Sequence, residues 1–462
     1  MKQFDLNIEK ILENWETYHA IREIIANALD EQLLTNTKDV EITKQGSSWH
    51  IRDFGRGLKY TNLTQNENQE KLSNPKVIGK FGIGLKDALA TFDRKEIKVL
   101  IKSKFGNITL NKTAKEGFAD IITLHANISE PTDPNLIGTE FTIDGVTDGD
   151  ISKAKNLFLK FTGEQVLETT KAGDVVNKVG SIGKIYINGV KVAEEENFLF
   201  SYNITQLTTA IKKSLNRERT NVGRTAYTDS VKKILLACKS SDVAKILADD
   251  LQNINYGTQH DELSWIDVQE HSVKILNQNE KVLFVSYTDI MLHPDMIDEA
   301  KASGHQIISI PENLKEKIKG GTDLSGKPII DISQFTTTYN ESFSFDFVAI
   351  ENLTPSEKEI YNLTNDILNL IDGKPRIVRD IKISTTMRKD FFSEGETVGI
   401  WDPNTGSIII LRKMLNSIKD YAGTLIHEAI HAKSGMGDIS RNFEHELTVA
   451  IGQVCEKALS KK

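Results

Sequence analysis

Near the end of the chain two histidines stand four residues apart, with a glutamate directly after the first, in Leu425-Ile426-His427-Glu428-Ala429-Ile430-His431. On a helix, positions i and i+4 share a face. Two neutral imidazoles on one face can hold one Zn²⁺, and Glu428 then reaches a water on that ion. The chemistry this predicts is hydrolysis. The ion acidifies the water, Glu428 takes its proton, and the hydroxide attacks a carbonyl. Residues 434–438, Ser-Gly-Met-Gly-Asp, read as a turn, and a further helix follows with Phe443-Glu444-His445-Glu446-Leu447. Its apolar stripe is Phe443, Leu447, Ala450, Ile451 and Val454. Glu444 and Glu446 flank that stripe on opposite sides, so helix geometry leaves the third metal ligand open between them.

The first third of the chain carries signals of a different kind. Glu23 and Asn27 are four apart in Arg22-Glu23-Ile24-Ile25-Ala26-Asn27. A carboxylate there can orient a water, and an amide oxygen can ligate Mg²⁺ between phosphates. Asp53-Phe54-Gly55-Arg56-Gly57 offers an acceptor for an adenine amino group and glycines that admit a close approach. Gly79-Lys80-Phe81-Gly82-Ile83-Gly84-Leu85-Lys86 opens a helix, so its backbone N–H groups suit phosphate and Lys86 adds a positive charge. Gly138-Thr139-Glu140-Phe141 starts a strand whose hydroxyl can support the aspartate or the base.

In this order the four elements resemble the GHKL ATPase superfamily of gyrase, heat-shock chaperone, histidine kinase and MutL-type proteins. Residues 79–86 look closest to the MORC and heat-shock chaperone branch. The resemblance covers about 10–145 and implies a Bergerat-type ATP site with 58–78 as its lid. It implies Glu23 as general base, Asn27 as Mg²⁺ ligand and Asp53 as adenine reader. Gly55, Gly57, Gly82 and Gly84 are then the close backbone contacts, with Lys86 and Thr139 beside them. Residues 181–225 resemble the transducer that follows such domains and sends a basic residue to the γ-phosphate, with Arg217, Arg219 and Arg224 as candidates. The resemblance also implies an ATP-dependent homodimer.

Residues 350–462 resemble zincin metallopeptidases of the gluzincin type, whose third ligand is a glutamate on a later helix. That resemblance favours Glu444 beside His427 and His431, with Glu428 as the proton-transferring group and a protein as substrate. Together the two halves imply an ATP-regulated zinc metalloprotease. The pairing resembles bacterial conflict and phage-defence effectors. The rival reading is a MORC-like, MutL-like or chaperone-like ATPase clamp with a non-catalytic zinc domain.

Elements of α+β type must position these groups. Apolar spacing predicts helix over 8–34, and alternation predicts paired strands at 40–43 and 49–52. A polar loop is expected over 61–74, helix after Gly84, and strands at 97–103, 106–111, 119–125 and 138–144. The expected sheet is mostly antiparallel with helices layered on it. Asn188-Gly189 predicts a tight hairpin turn within 183–192. A strand is expected at 198–204 and helices to about Leu251. A β-α-β pattern follows over 281–310, and the glycines within 311–342 suggest a boundary. Thr354-Pro355-Ser356-Glu357 predicts a capped helix start. Strands are expected at 376–385, 397–401 and 407–411, the last as the sheet edge where a peptide lies. The division expected is therefore 1–150 for the ATP domain, 151–250 for a transducer-like domain, 251–342 for an α/β connector and 343–462 for a zincin-like domain.

The net charge of −8 does not advertise a nucleic-acid surface. Cys238 and Cys455 form no metal or disulfide pattern, and both read as small buried hydrophobes. With no apolar run to span a membrane and no leader at Met1, the expectation is a cytoplasmic protein.

Overall fold

The computed structural model describes residues 2–6, 14–63, 69–79, 84–215, 222–253, 259–388, 397–438 and 440–460. The chain is a mixed α/β protein that divides into two compact units, Met1–Asn279 and Glu280–Lys462.

The first unit opens on a seven-stranded sheet whose neighbours all run antiparallel. Across the sheet the strands are Lys2–Asp5, Phe118–Ser129, Gly106–Lys115, Lys98–Ser103, Thr139–Asp144, Ser48–Arg52 and Glu41–Gln45. Helices Thr17–Thr35, Gly84–Arg94 and Asp148–Lys155 cover one face. Ile21, Ile24, Ile25, Leu89 and Phe92 bury there against Ile51, Ile101, Leu124, Phe141 and Ile143. This removes a large apolar area from water, and it follows from one apolar stripe per helix and alternate apolar positions per strand. The strand Lys2–Asp5 was not expected. It is polar and finds its place only by pairing with 125–128. The expected loop at 61–74 contains a 3₁₀ turn, Tyr60–Leu63, and a short helix, Gln69–Ser73.

The same unit continues with a five-stranded sheet of Val166–Thr169, Gly173–Val176, Gly183–Ile187, Val190–Glu195 and Ser201–Ile204. Its hairpin turns at Asn188 and Gly189, with φ of 49° and 79°, as the dipeptide predicted. Helices Arg224–Ala237, Ser241–Gln252 and Ile266–Asn279 complete the unit.

The second unit begins with the expected β-α-β pattern, in which Val282–Val285 runs parallel to Gln306–Ser309. Residues 311–342 carry two helices, Glu312–Ile318 and Ile332–Ser342, where a boundary was expected. The capping box at Thr354 forms as read, with Thr354 and Glu357 exchanging hydrogen bonds at the start of helix Pro355–Asn362. A four-stranded mixed sheet follows in the order Phe347–Val348, Asp380–Ser384, Ser407–Leu411, Gly399–Asp402. Ile408 and Ile410 face the core with Tyr421, Leu425 and Ala429 of helix Ile418–Ser434. Ile409 and Leu411, one residue out of phase, pack with Met387 on the other side. The strand Ser407–Leu411 is therefore interior, and Gly399–Asp402 is the edge beside it. Cys238 is buried but Cys455 is exposed, which corrects the expectation for the latter.

Candidate metal centre and nucleotide site

Helix Ile418–Ser434 starts at the Ser417 cap, whose side chain accepts from the Asp420 N–H, and stops at Gly435 in the left-handed region with φ 69°. That stop turns the chain back over the last helical turn. It brings Asp438 to the two imidazoles while the residue itself stays exposed. Asp438 Oδ1 lies 2.8 Å from His427 Nε2 and 2.9 Å from His431 Nε2, and the two ring nitrogens are 3.1 Å apart. Among the described residues these three form the group able to share a metal ion. A tetrahedral zinc with ligands at ~2.0–2.1 Å separates its donor atoms by roughly 3.3 Å, so three donors at these spacings fit one ion with little adjustment.

The far side of His431 is fixed as well. Its Nδ1 sits 2.6 Å from the Met436 carbonyl, and a ring nitrogen at that distance donates. The neutral ring then keeps its lone pair on Nε2, toward the cluster. The buried ring of Phe443 stacks on His431 at 4.0 Å and 11°, and meets His427 edge-on at 5.1 Å. Burial, and then the neighbouring His431, hold His427 below the usual imidazole range, which favours the neutral ligand form.

Glu428 lies on the buried side of the same helix, 7% exposed. Burial pushes its carboxyl up to about 7, against a backbone hydrogen bond from Trp401 on the edge strand. A carboxyl at that value can both take and return a proton near neutral pH. The strand can approach because residue 399 is glycine. A Cβ there would fall 2.4 Å from Thr424 Cγ2 and 3.0 Å from Glu428 Cγ.

Glu444, the ligand favoured from the sequence, is exposed on helix Arg441–Leu459, and Glu446 is half-buried. Neither joins the cluster, and Asp438 takes the expected third place. The available signal was the glycine-flanked turn itself, which can fold a carboxylate back onto the preceding helix. His445 is exposed. Tyr421 is fully buried and its hydroxyl meets Thr364 at 2.7 Å, so it belongs to the core.

In the first unit, helix Thr17–Thr35 presents Glu23, Asn27, Asp30 and Glu31 on one face, and three glycines press against it. A Cβ at Gly84 would fall 2.1 Å from Glu23 Oε2. At Gly79 it would fall 2.9 Å from Asp30 Oδ2, and at Gly55 2.3 Å from Glu31 Cγ. Motifs distant in sequence thus meet along one helix. Arg22 holds the Glu23 carboxylate at 2.8 Å. Asp53 is buried, and burial pushes its carboxyl up, against hydrogen bonds from the Gly55 N–H and the Thr139 hydroxyl. Of the two partners expected for the Thr139 hydroxyl, the aspartate and a base, the contact made is with the aspartate. Gly57 and Gly138 both adopt positive φ, 86° and 84°, where the strand Thr139–Asp144 begins. Gly82 lies outside the described residues.

Two basic candidates sit elsewhere. Lys86 is buried, and its ammonium donates to the Leu6 carbonyl at 3.4 Å rather than standing free for an anion. The cation that does meet Asn27 is Lys71 of helix Gln69–Ser73, 3.2 Å from Asn27 Oδ1 and 3.1 Å from Asp30 Oδ2. It lay in the stretch read as a polar loop. Arg224 pairs with Asp261 and Glu195, while Arg217 and Arg219 lie outside the described residues.

Fold and site define a mixed α/β protein with a His–His–Asp cluster in its second unit. Residues 149–241 match the family described as the Mycoplasma pneumoniae MPN635 N-terminal domain. Over 241 residues the chain is 42% identical to an uncharacterized protein of Mycoplasma pneumoniae, spanning 51% of this chain and 97% of that protein. The chain belongs to the family of that Mycoplasma protein. A second uncharacterized protein of the same organism is 26% identical over 360 residues, 70% of this chain and 97% of its own length. A third is 26% identical over 181 residues, 38% of this chain and 94% of its own. No helix among the described residues is long and apolar enough to cross a membrane.

Proposed function

We propose that the chain is an ATP-regulated, zinc-dependent metalloprotease acting on a protein substrate. The observation that carries the reading is the meeting of His427 Nε2, His431 Nε2 and Asp438 Oδ1 within 2.8–3.1 Å, beside a buried glutamate. Two imidazoles and one carboxylate leave a fourth tetrahedral position open, which suits a catalytic rather than a structural zinc. When bound, the ion supplies the electrophile that polarises a peptide carbonyl. Glu428 takes the proton of the attacking water and returns it to the leaving amine. The edge strand Gly399–Asp402 offers its free side to an extended peptide, which would bring the scissile bond over the helix that carries Glu428. In this reading 343–462 is the zincin-like domain and 251–342 the connector.

For the first unit the same proposal assigns a Bergerat-type ATP domain to 1–150 and a transducer-like domain to 151–250. The glycine cradle along helix Thr17–Thr35 supports it, since each Cβ there would invade the acidic face. Asp53 would hold the adenine amino group, Asn27 the Mg²⁺, and Glu23 the attacking water. Nucleotide binding and ATP-dependent pairing of two chains would control proteolysis.

One experiment tests the chemistry and finds the target. Zinc is quantified in purified wild type and Glu428→Gln, and new protein N-termini are compared in cells expressing each. The expected result is bound zinc in both and cleavage products in wild type only. Products formed equally by the variant would end the peptidase reading.

A further inference from the structure

The first unit also holds a cleft whose lining does not include Asp53. The cleft, of about 560 Å³, opens between helix Thr17–Thr35, the segment before Gly79, and the strands around 166–205. That volume is in the range of small-molecule sites. Three lysines from separate segments line it: Lys76, Lys160 and Lys171. Two carboxylates also line it: Asp30 is offset by Lys71, and Asp174 meets a neutral amide, so its charge stands against two ammonium groups unpaired among the described residues. Asp30 accepts from the Ile78 and Gly79 N–H groups and from Lys71, and Asp174 accepts from the Asn203 amide at 2.7 Å. Lys160 is held by Asp39 and by Gln32. The ammonium groups of Lys76 and Lys171 have no carboxylate partner among the described residues. Like charges gathered in a concave surface attract an anion more strongly than the same charges on a flat one.

The third feature is Asn188 at the tip of the hairpin. Its Nδ2 donates to the Pro75 carbonyl at 2.8 Å, but its Oδ1 is buried without a donor among the described residues. Closed to solvent, that oxygen is not open to a ligand, and the Asn188 side chain serves instead to tie the hairpin tip to Pro75 at the edge of the cleft. Leu33 and Phe158 give the cleft an apolar wall.

We propose that this cleft binds a small organic phosphate. Lys76 and Lys171 take the phosphate, and the carbon skeleton lies against Leu33. The site shares Lys76 and Ile78 with the segment that leads into Gly79, so an occupant braces that segment through Lys76 and through the Asn188 grip on Pro75. The inference does not depend on the ATP reading, and the test separates them.

The full chain is titrated by calorimetry with ribose 5-phosphate, which carries a phosphate and hydroxyl donors but no adenine. Wild type and Asp53→Ala are expected to bind one equivalent with equal affinity. The double variant Lys76→Ala/Lys171→Ala is expected to weaken binding roughly tenfold or more, as for loss of charge-assisted contacts. Asn188→Gly keeps the left-handed turn, removes the tie to Pro75 beside Lys76 and is expected to weaken binding as well. No heat at millimolar ligand overturns the proposal. So does a folded lysine variant that binds like wild type, or a loss of binding in Asp53→Ala.

Discussion

Asp438 Oδ1 lies 2.9 Å from His431 Nε2, across a turn of only seven residues, while the Nδ1 of the same ring holds the Met436 carbonyl at 2.6 Å. The turn therefore fixes both edges of one imidazole. If this is the third ligand, Asp438→Ala should strip zinc from the protein, whereas Glu444→Ala should not. Zinc content by elemental analysis after dialysis against a weak chelator is the readout. The reverse pattern would return the ligand role to Glu444.

Phe443 stacks on His431 at 4.0 Å and 11° and is buried in the core. Phe443→Leu keeps an apolar side chain there but removes the flat face that fixes the ring. Zinc affinity is expected to fall by about 10–100-fold, the usual consequence of loosening a ligand's support. Competition with a chromogenic chelator measures it, and thermal unfolding of the zinc-free protein shows whether the fold itself has suffered.

Local signals are legible in the sequence. Asn188-Gly189 and the Thr354 capping box each act within a few residues, and so does the Asp402-Pro403-Asn404-Thr405-Gly406 turn between the last two strands. In that turn Asp402 accepts from the Asn404 N–H at 3.0 Å and from the Thr405 hydroxyl at 2.8 Å. Non-local outcomes were not readable. Strand Lys2–Asp5 is polar, and it is a strand because the edge formed by 125–128 receives it. Ser407–Leu411 is apolar on both faces because it is interior, not the sheet edge expected of it. Asp438 becomes a cluster member only because Gly435 reverses the chain. The identity of the glycine motifs was legible, but not that they share one helix. That convergence depends on packing between segments up to about sixty residues apart.

Two glycine substitutions in the first unit should behave differently. At Gly84 a Cβ meets the far end of the Glu23 side chain, 2.1 Å from Oε2, so the carboxylate can move aside at the cost of its Arg22 contact. Gly84→Ala is expected to fold normally and to lose ATP hydrolysis, because the displaced group is the proposed base. At Gly138 a Cβ would fall 1.9 Å from the Asp53 carbonyl oxygen, in a backbone with φ 84°. Backbone cannot yield so cheaply. The conformation alone costs ~1–3 kcal/mol for a non-glycine residue, and the collision adds to it. Gly138→Ala is expected to lower the unfolding temperature clearly. Calorimetry and phosphate release on the two variants separate the cases, and equal melting temperatures would contradict the packing argument.

In the second unit, Glu357 pairs with Arg412 at 2.9 Å and also accepts from the Thr354 N–H at 2.7 Å. The Arg412 hydrogen bond, ahead of the Thr354 backbone, holds the carboxyl down at about 2, against an ordinary value of 4.5. A carboxyl lowered on folding stabilises the native state above its unfolded pKa. That contribution fades as the folded group is protonated. The window here runs from about 4.5 down to about 2. The pair is half-buried at the surface, so the effect is modest and partly screened by salt. Glu357→Gln is therefore expected to be less stable than wild type at pH 7. The gap should narrow below pH 4.5 and close near pH 2. Urea unfolding of both proteins across that range, at low and high salt, measures it. A difference that persists undiminished at the acid end would mean that the glutamine disturbs the helix start itself, and that the charge of Glu357 is not what holds Arg412 to it.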